Sequence, residues 1–102
     1  MSEEKLKEVT RKPVSFRLGQ LVATPGALAA LSEAGQSPLE FLSRHQQGDW
    51  GEVGKEDWDA NDAALLEGTR LLSAYRTSKG VRIWIITEWD RSVTTILLPD
   101  EY

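Results

Sequence analysis

The chain has 102 residues, of which 40% are hydrophobic and 27% are charged, and its net charge is −4. This length accommodates one domain with a modest core, and no stretch approaches the ~20 apolar residues that a membrane helix requires. The chain has no cysteine and one histidine, which excludes disulfides and thiol catalysis and disfavours zinc enzymes. We therefore predict no metal site and no cofactor.

The amino-terminal residues predict a tail followed by a short strand. Residues 1–12 alternate Glu and Lys with too few apolar side chains to offset the entropy of ordering them. They also lack the apolar core of a signal peptide, so we expect a cytoplasmic protein without membrane contact. Residues 13–102 are predicted to form a single domain. The alternation of apolar and polar residues from Val14 to Leu18 predicts a strand, which Gly19 is expected to bend before Leu21-Val22-Ala23.

Two or three capped helices are predicted next. Thr24 and Ser37 each precede a proline, and this pairing suits the N-cap and the first position of a helix. The two helices are expected to end near Gly35 and Gly48, since glycine readily adopts the left-handed conformation that stops a helix. A third helix is predicted from Lys55 to Glu67, with acidic residues in its first turn.

The carboxy-terminal third predicts three antiparallel strands. Apolar runs span Arg70 to Thr77, Val81 to Trp89 and Val93 to Leu98, and short turn sequences separate them. The expected fold class is α+β, with a short amino-terminal strand, the helices, and then a three-stranded antiparallel β-meander that the helices cover on one face.

The pair Arg44 and His45, near the end of the second predicted helix, is the first candidate for chemistry. Histidine is the side chain that titrates near neutral pH, so His45 is a candidate general acid or base. The alternative is a structural histidine that contacts the core from the face of a helix.

A second candidate cluster surrounds the last predicted turn. If Asp90 lies in that turn, Glu88 and Thr94 are expected on one face of the sheet, with Arg91 beside them. A carboxylate, a guanidinium and a hydroxyl at a sheet end are suited to binding a phosphate. The alternative is a cross-strand pair next to a solvated turn.

Four tryptophans are many for a chain of this length. Trp58 and Trp84 are expected in the core. Trp50 lies in a glycine-flanked loop and Trp89 lies beside a turn, so both are candidates for exposed binding anchors. The alternative is that each covers the small core from the side.

About two-thirds of the chain resembles a group of small accessory proteins of bacterial conjugative plasmids and integrated mobile elements. The matching stretches read RHQQGDWG, RLLSAY, IWIITEWDRS and TTILLPDEY, at residues 44–51, 70–75, 83–92 and 94–102. The resemblance implies a cytoplasmic accessory role and carries no activity. The leading hypothesis is therefore a non-catalytic protein that binds another macromolecule, an unknown protein partner, through residues of the clusters described above: Arg44, Trp50, Trp89, Asp90, Arg91 and Thr94.

Two alternatives remain open. The order of helices followed by an antiparallel sheet is similar to barnase and RelE-like toxins, and this similarity implies metal-independent RNA cleavage by His45, Glu88 and Arg91. The net negative charge opposes binding to nucleic acid outside that alternative. Alternatively, the seven acidic residues between Asp49 and Glu67 imitate DNA and occupy a defence protein.

Overall fold

A computed structural model of the protein describes residues 16–102, so the predicted tail at 1–12 and the start of the predicted first strand lie outside the described residues. The elements follow in the order β1 (Gln20–Ala23), α1 (Pro25–Ala34), α2 (Pro38–Gln46), α3 (Lys55–Glu67), β2 (Leu71–Arg76), β3 (Arg82–Thr87) and β4 (Val93–Leu97), and a 3₁₀ turn (Pro99–Glu101) comes after them. Within residues 16–102, no helix has both the length and the apolar character needed to cross a membrane.

The α+β class is confirmed, but the sheet has four strands and is mixed. Its order is β1-β4-β3-β2. The antiparallel pairs β2–β3 and β3–β4 form the predicted meander. β1 adds to the meander in parallel beside β4, with Gln20 opposite Val93. The prediction of a purely antiparallel three-stranded sheet is therefore corrected by one strand.

The first strand also lies further along the chain than predicted. Residues 16–18, the described part of the predicted strand, are not extended in the sheet. The backbone carbonyl of Leu18 instead accepts a hydrogen bond from the Thr94 hydroxyl. Gly19 follows with a φ of 68°, and a Cβ atom there would lie 2.3 Å from the carbonyl oxygen of Ser92. Only glycine permits this approach, so the strand begins after it.

The three predicted helices are confirmed, and local capping explains where they begin. The hydroxyl of Thr24 accepts from the backbone N–H of Ala27, and that of Ser37 accepts from Leu39. Gly35 and Gly68 end α1 and α3 in the left-handed conformation. These contacts lie within four residues of each cap, which is why the sequence alone predicts them.

All three helices pack on the same face of the sheet and enclose two groups of apolar side chains. The larger group lies under α1 and α2 and consists of Ala27, Leu31, Phe41, Leu42, Tyr75, Ile83, Ile85 and Ile96. The smaller group lies under α3 and is built from Trp50, Ala64 and Leu71. On α3, Ala64 faces this core, whereas Leu66 is 92% exposed.

The β2 edge of the sheet is covered by backbone and side-chain groups from elsewhere in the chain. Ala74 donates to the carbonyl of Trp50 (3.1 Å) and accepts from the N–H of Glu52 (2.6 Å). At Leu72 the side-chain amide of Asn61 takes the place of a strand, since it donates to the Leu72 carbonyl (2.7 Å) and accepts from the Leu72 N–H (3.1 Å). The outward-facing backbone groups of β2 are therefore satisfied at both positions.

Candidate functional site

His45, the predicted general acid or base, is enclosed in the protein. α2 directs its ring into the core, where its exposure is 0%. Nδ1 lies 2.6 Å from the hydroxyl of Ser73, and Nε2 lies 2.9 Å from the hydroxyl of Thr87. The rings of Phe16 and Trp50 meet it edge to face. A substrate has no path to either nitrogen in this arrangement.

The hydroxyl groups around His45 define which nitrogen carries the proton. Thr94 donates its one hydroxyl hydrogen to the carbonyl of Leu18 (2.7 Å), so it accepts from the Thr87 hydroxyl, which lies 2.7 Å away. Thr87 then accepts from Nε2–H of His45, and Ser73 donates to Nδ1. Every hydrogen in this chain of groups, which we call the His45 network, has one donor and one acceptor. A neutral imidazole therefore satisfies every group of the network.

Burial lowers the pKa of His45 to about 3, and the nearby positive charge of Arg91 contributes in the same direction. The imidazole is therefore neutral across the physiological range. A general acid or base works best with a pKa near the operating pH and within reach of the substrate. His45 meets neither condition, so the structure supports the alternative interpretation, a structural histidine.

Glu88 and Thr94 do not share a face of the sheet. The register places Thr94 opposite Thr87, while the Glu88 N–H bonds to the carbonyl of Val93. Successive residues of a strand point to opposite faces, so Thr94 is buried under the helices and Glu88 is exposed to solvent. The prediction placed Glu88 opposite Thr94, whereas the structure pairs Thr87 with Thr94, and this shift of one residue moves Glu88 to the other face.

Arg91 points inward and is occupied by the backbone. Its guanidinium donates to four carbonyl oxygens within 2.6–3.2 Å, those of Ala64, Thr69, Glu88 and Trp89. Two of these carbonyls belong to the turn itself, one to the last turn of α3 and one to the segment that follows α3. Arg91 therefore acts as a clamp between α3 and the β3–β4 turn, and binding a phosphate would require it to release these bonds.

The β3–β4 turn is tied together on its other side as well. Arg91 adopts a φ of 62°, an uncommon conformation for a residue other than glycine. One carboxylate oxygen of Asp90 accepts from the N–H (3.1 Å) and the hydroxyl (2.6 Å) of Ser92, and these bonds lower the pKa of Asp90. Trp89 stands at the tip of this turn with 65% of its surface exposed.

The four tryptophans divide differently from the prediction. Trp50 is fully buried, and its indole N–H donates to Asp62 (2.9 Å), so the prediction of an exposed anchor is wrong at this position. Trp58 and Trp84 are half-buried rather than core residues. Gly51, which follows Trp50, was the sequence feature that could have indicated burial of Trp50. It marks a close approach to the β2 backbone rather than a free loop.

Arg44 and the acidic residues of α3 lie on the surface. The Arg44 guanidinium forms an ion pair with Asp49 (2.8 Å) and lies over the ring of Tyr75. Both its charge and its planar face therefore make contacts within the protein. The carboxylates of Glu56, Asp57, Asp59 and Glu67 on α3 are exposed, and Asp59 pairs with Lys55, whereas Asp62 accepts from the Trp50 indole.

Comparison of the chain with protein-family models, with curated proteins and with solved structures gives no match in any of the three. The resemblance to accessory proteins of mobile elements therefore stays a prediction. Among the predicted site residues, Trp89 and Asp90 share one ordered turn that Arg91 holds. The polar groups of the His45 network are hydrogen-bonded to one another in the interior of the protein.

Proposed function

We propose that this protein is a non-catalytic binding protein that holds a partner protein through Trp89. The observation that carries the proposal is the exposure of this large side chain on a turn whose backbone is fixed by Arg91 and Asp90. Exposed tryptophans in fixed geometry are typical of interface hot spots.

The fixed turn matters because binding is opposed by the entropy of ordering the contact residues. The Arg91 clamp holds the carbonyls of Glu88 and Trp89 in the free protein, so the turn loses little further freedom when a partner binds. An uncommon backbone conformation at Arg91, maintained by four hydrogen bonds, is the kind of local strain found at functional positions.

Charge indicates what kind of surface this turn contacts. Trp89 is flanked by the exposed carboxylates of Glu88 and Asp90, and the Arg91 clamp joins the turn to the acidic helix α3. The chain as a whole carries a charge of −4. A complementary partner therefore offers an apolar pocket for the indole, rimmed by lysine or arginine. We extend the proposal to an accessory role in mobile elements, supported by the resemblance of the sequence alone.

The test compares two variants of exposed apolar residues in the full chain. Wild-type protein, Trp89→Ala and the control Leu66→Ala, which removes a leucine that is 92% exposed on α3, are immobilised and challenged with bacterial host lysate. A stoichiometric partner retained by wild type and Leu66→Ala but lost with Trp89→Ala is expected. With that partner purified, Trp89→Ala is expected to weaken binding by roughly 30-fold or more, the effect of a hot spot.

Two results would overturn the proposal: no partner on any of the three proteins, or equal affinity of Trp89→Ala and wild type for the partner. The association rate is also expected to fall as salt rises, because exposed charges steer the encounter. Steep salt dependence that is unaffected by Trp89→Ala would instead favour the DNA-imitating interpretation, in which the acidic face of α3 alone makes the contact.

The ribonuclease interpretation loses its support because its three residues do not meet at an open cleft. His45 is enclosed and neutral, Glu88 faces solvent on the other side of the sheet, and Arg91 is bonded to backbone carbonyls. Purified protein is expected to leave RNA intact, and cleavage that disappears in His45→Gln would restore that interpretation.

A further inference from the structure

The outer side of β1 is a second surface that Trp89 and its turn do not use. The Gln20 N–H bonds to the Ser92 carbonyl and the Thr24 N–H bonds to the Ile96 carbonyl, so the even-numbered residues of β1 face β4. In a parallel pair, the N–H and C=O groups of the intervening residues point the other way. The backbone groups of Leu21 and Ala23 therefore face outward, and none of residues 16–102 pairs with them.

An apolar groove of about 260 Å³ lies beside this edge, between β1 and the start of α2. Leu21 and Ala23 line it from the strand, and Pro38, Leu39 and Leu42 line it from the helix. The side chains of Leu21 and Leu39 are 51% and 69% exposed. An open strand edge next to exposed apolar side chains is the usual template for adding another strand.

The edge is short, but it carries neither of two other features that discourage pairing, charged side chains and proline. Its sequence is Gln-Leu-Val-Ala. The groove lining is likewise uncharged. The chain carries a net charge of −4, so two copies repel one another over much of their surface. At this edge they approach without placing like charges opposite each other.

We propose that β1 pairs antiparallel with β1 of a second copy of this chain, about a two-fold axis at Val22. In that register Leu21 lies opposite Ala23 of the second copy and exchanges both backbone hydrogen bonds with it, as Ala23 does with the second Leu21. All outward groups of both strands are then used. The large side chain of each Leu21 meets a small alanine, at the mouth of the groove of the other copy.

The available area sets the strength of this dimer. The three exposed apolar side chains that line the edge and its groove, Leu21, Val22 and Leu39, leave on the order of 200 Å² of apolar surface per copy open to water. A stable interface buries about 800 Å² per partner, so the β1 dimer falls in the weak class and forms in a concentration-dependent way.

The first experiment is sedimentation velocity of the full chain from about 1 to 500 µM. Wild-type protein is expected to pass from monomer to dimer within that range, as a weak interface predicts. Leu21→Lys places a charge in the groove of the other copy and is expected to weaken dimerisation at least tenfold. The matched control Leu66→Lys makes the same change on α3 and is expected to dimerise as wild type does.

Amide hydrogen exchange locates the contact in the same samples. The N–H groups of Leu21 and Ala23 are expected to be protected at high concentration and to exchange freely at low concentration. The Leu72 N–H, which is bonded to Asn61, is expected to stay protected throughout. A monomer at 500 µM would overturn the proposal, as would dimerisation of Leu21→Lys at wild-type strength. Protection of both β1 amides in the monomer would show that the chain's own residues 1–15 cover the edge, which also overturns it.

Discussion

The β2 edge of the sheet is covered by the protein's own groups, whereas no described residue pairs with the outer side of the β1 edge. Covering β2 requires Gly51 in a left-handed conformation, because a Cβ atom there would lie 2.0 Å from the carbonyl oxygen of Ala74. It also requires the buried amide of Asn61. β1 has no comparable feature, and its residues are uncharged.

The difference between the two edges indicates that exposed apolar side chains, rather than buried polar ones, are the candidates for function in this protein. His45, the side chain that most suggests chemistry from the sequence, lies in the covered half, the part of the core next to β2, where it bonds to Ser73 and Thr87. The exposed apolar side chains lie at β1, at the β3–β4 turn and on the helix surfaces. Buried polar groups of this kind hold a small core in one arrangement, while exposed apolar groups in fixed geometry are what partners bind. The following variants test this contrast.

Replacing Trp50 by alanine is expected to have the largest effect on stability. Trp50 is fully buried between Phe16 and the His45 ring, and its indole N–H bonds to Asp62. The cavity and the lost contacts are expected to lower the free energy of unfolding by about 3–5 kcal/mol, measured by urea denaturation. The exposed Trp89→Ala is the control, expected within about 0.5 kcal/mol of wild type. Equal losses in both variants would show that the covered half is not more tightly packed than the turn.

Acid is expected to lower the free energy of unfolding through protonation of His45. Its pKa is about 3 in the folded protein and 6.5 when unperturbed, so between these values the unfolded state binds more protons. Stability therefore rises with pH, is complete above about 6.5, and is lost as the pH falls toward 3. From pH 6 to pH 4 this group alone removes about 2–3 kcal/mol.

The measurement is the free energy of unfolding at pH 6 and pH 4 for wild type and His45→Gln. The glutamine does not titrate, so its variant is expected to show the smaller fall, and the carboxylates common to both proteins cancel in the difference. Identical falls in the two proteins would mean that His45 is accessible to protons in the folded state.

Replacing Asn61 by alanine is expected to open the covered edge. The N–H and the carbonyl of Leu72 would each lose their partner, at a cost of about 1–3 kcal/mol. The Leu72 N–H is also expected to lose its protection from hydrogen exchange. Gln47→Ala, which removes an exposed amide after α2, serves as the control and is expected to be neutral. Unchanged protection at Leu72 in Asn61→Ala would show that the amide does not cover the edge.

The smallest effect is expected at the open edge. Leu21 is 51% exposed and its backbone does not depend on its side chain, so Leu21→Thr keeps the strand propensity and removes little buried surface. At concentrations of a few micromolar, where the proposed dimer is dissociated, the change is expected within about 0.5 kcal/mol. A loss above 1 kcal/mol would show that the edge is covered in the monomer.

The features that the sequence predicted are those set by neighbouring residues. Thr24 and Ser37 cap their helices through contacts two or three positions away, and the turns of the meander follow from short glycine or aspartate sequences. The position of the first strand was wrong because alternation at residues 14–18 says nothing about which segment lies beside β4. The pairing with Ile96 and its neighbours selects Gln20–Ala23 instead.

The candidate site was predictable in residue type but not in environment. The sequence left open whether Trp50 and Trp89 are exposed or cover the core. In the structure Trp89 is exposed, whereas Trp50 is buried because Gly51 joins β2. The fate of His45 depends on Ser73 and Thr87, which lie 28 and 42 residues away. No local pattern carries such contacts, so only the folded chain separates a structural histidine from a catalytic one.

The parallel pairing of β1 with β4 has a consequence for how the protein is made. Gln20 lies opposite Val93, so β1 leaves the ribosome about 70 residues before β4 and has no place in the sheet until β4 follows it. The hairpins β2–β3 and β3–β4 close over short stretches of chain and are available first, whereas closing so long a loop is slow. During synthesis Leu21 and Val22 therefore stay without their sheet partner until β4 is made, and an unpaired apolar strand of this kind favours aggregation.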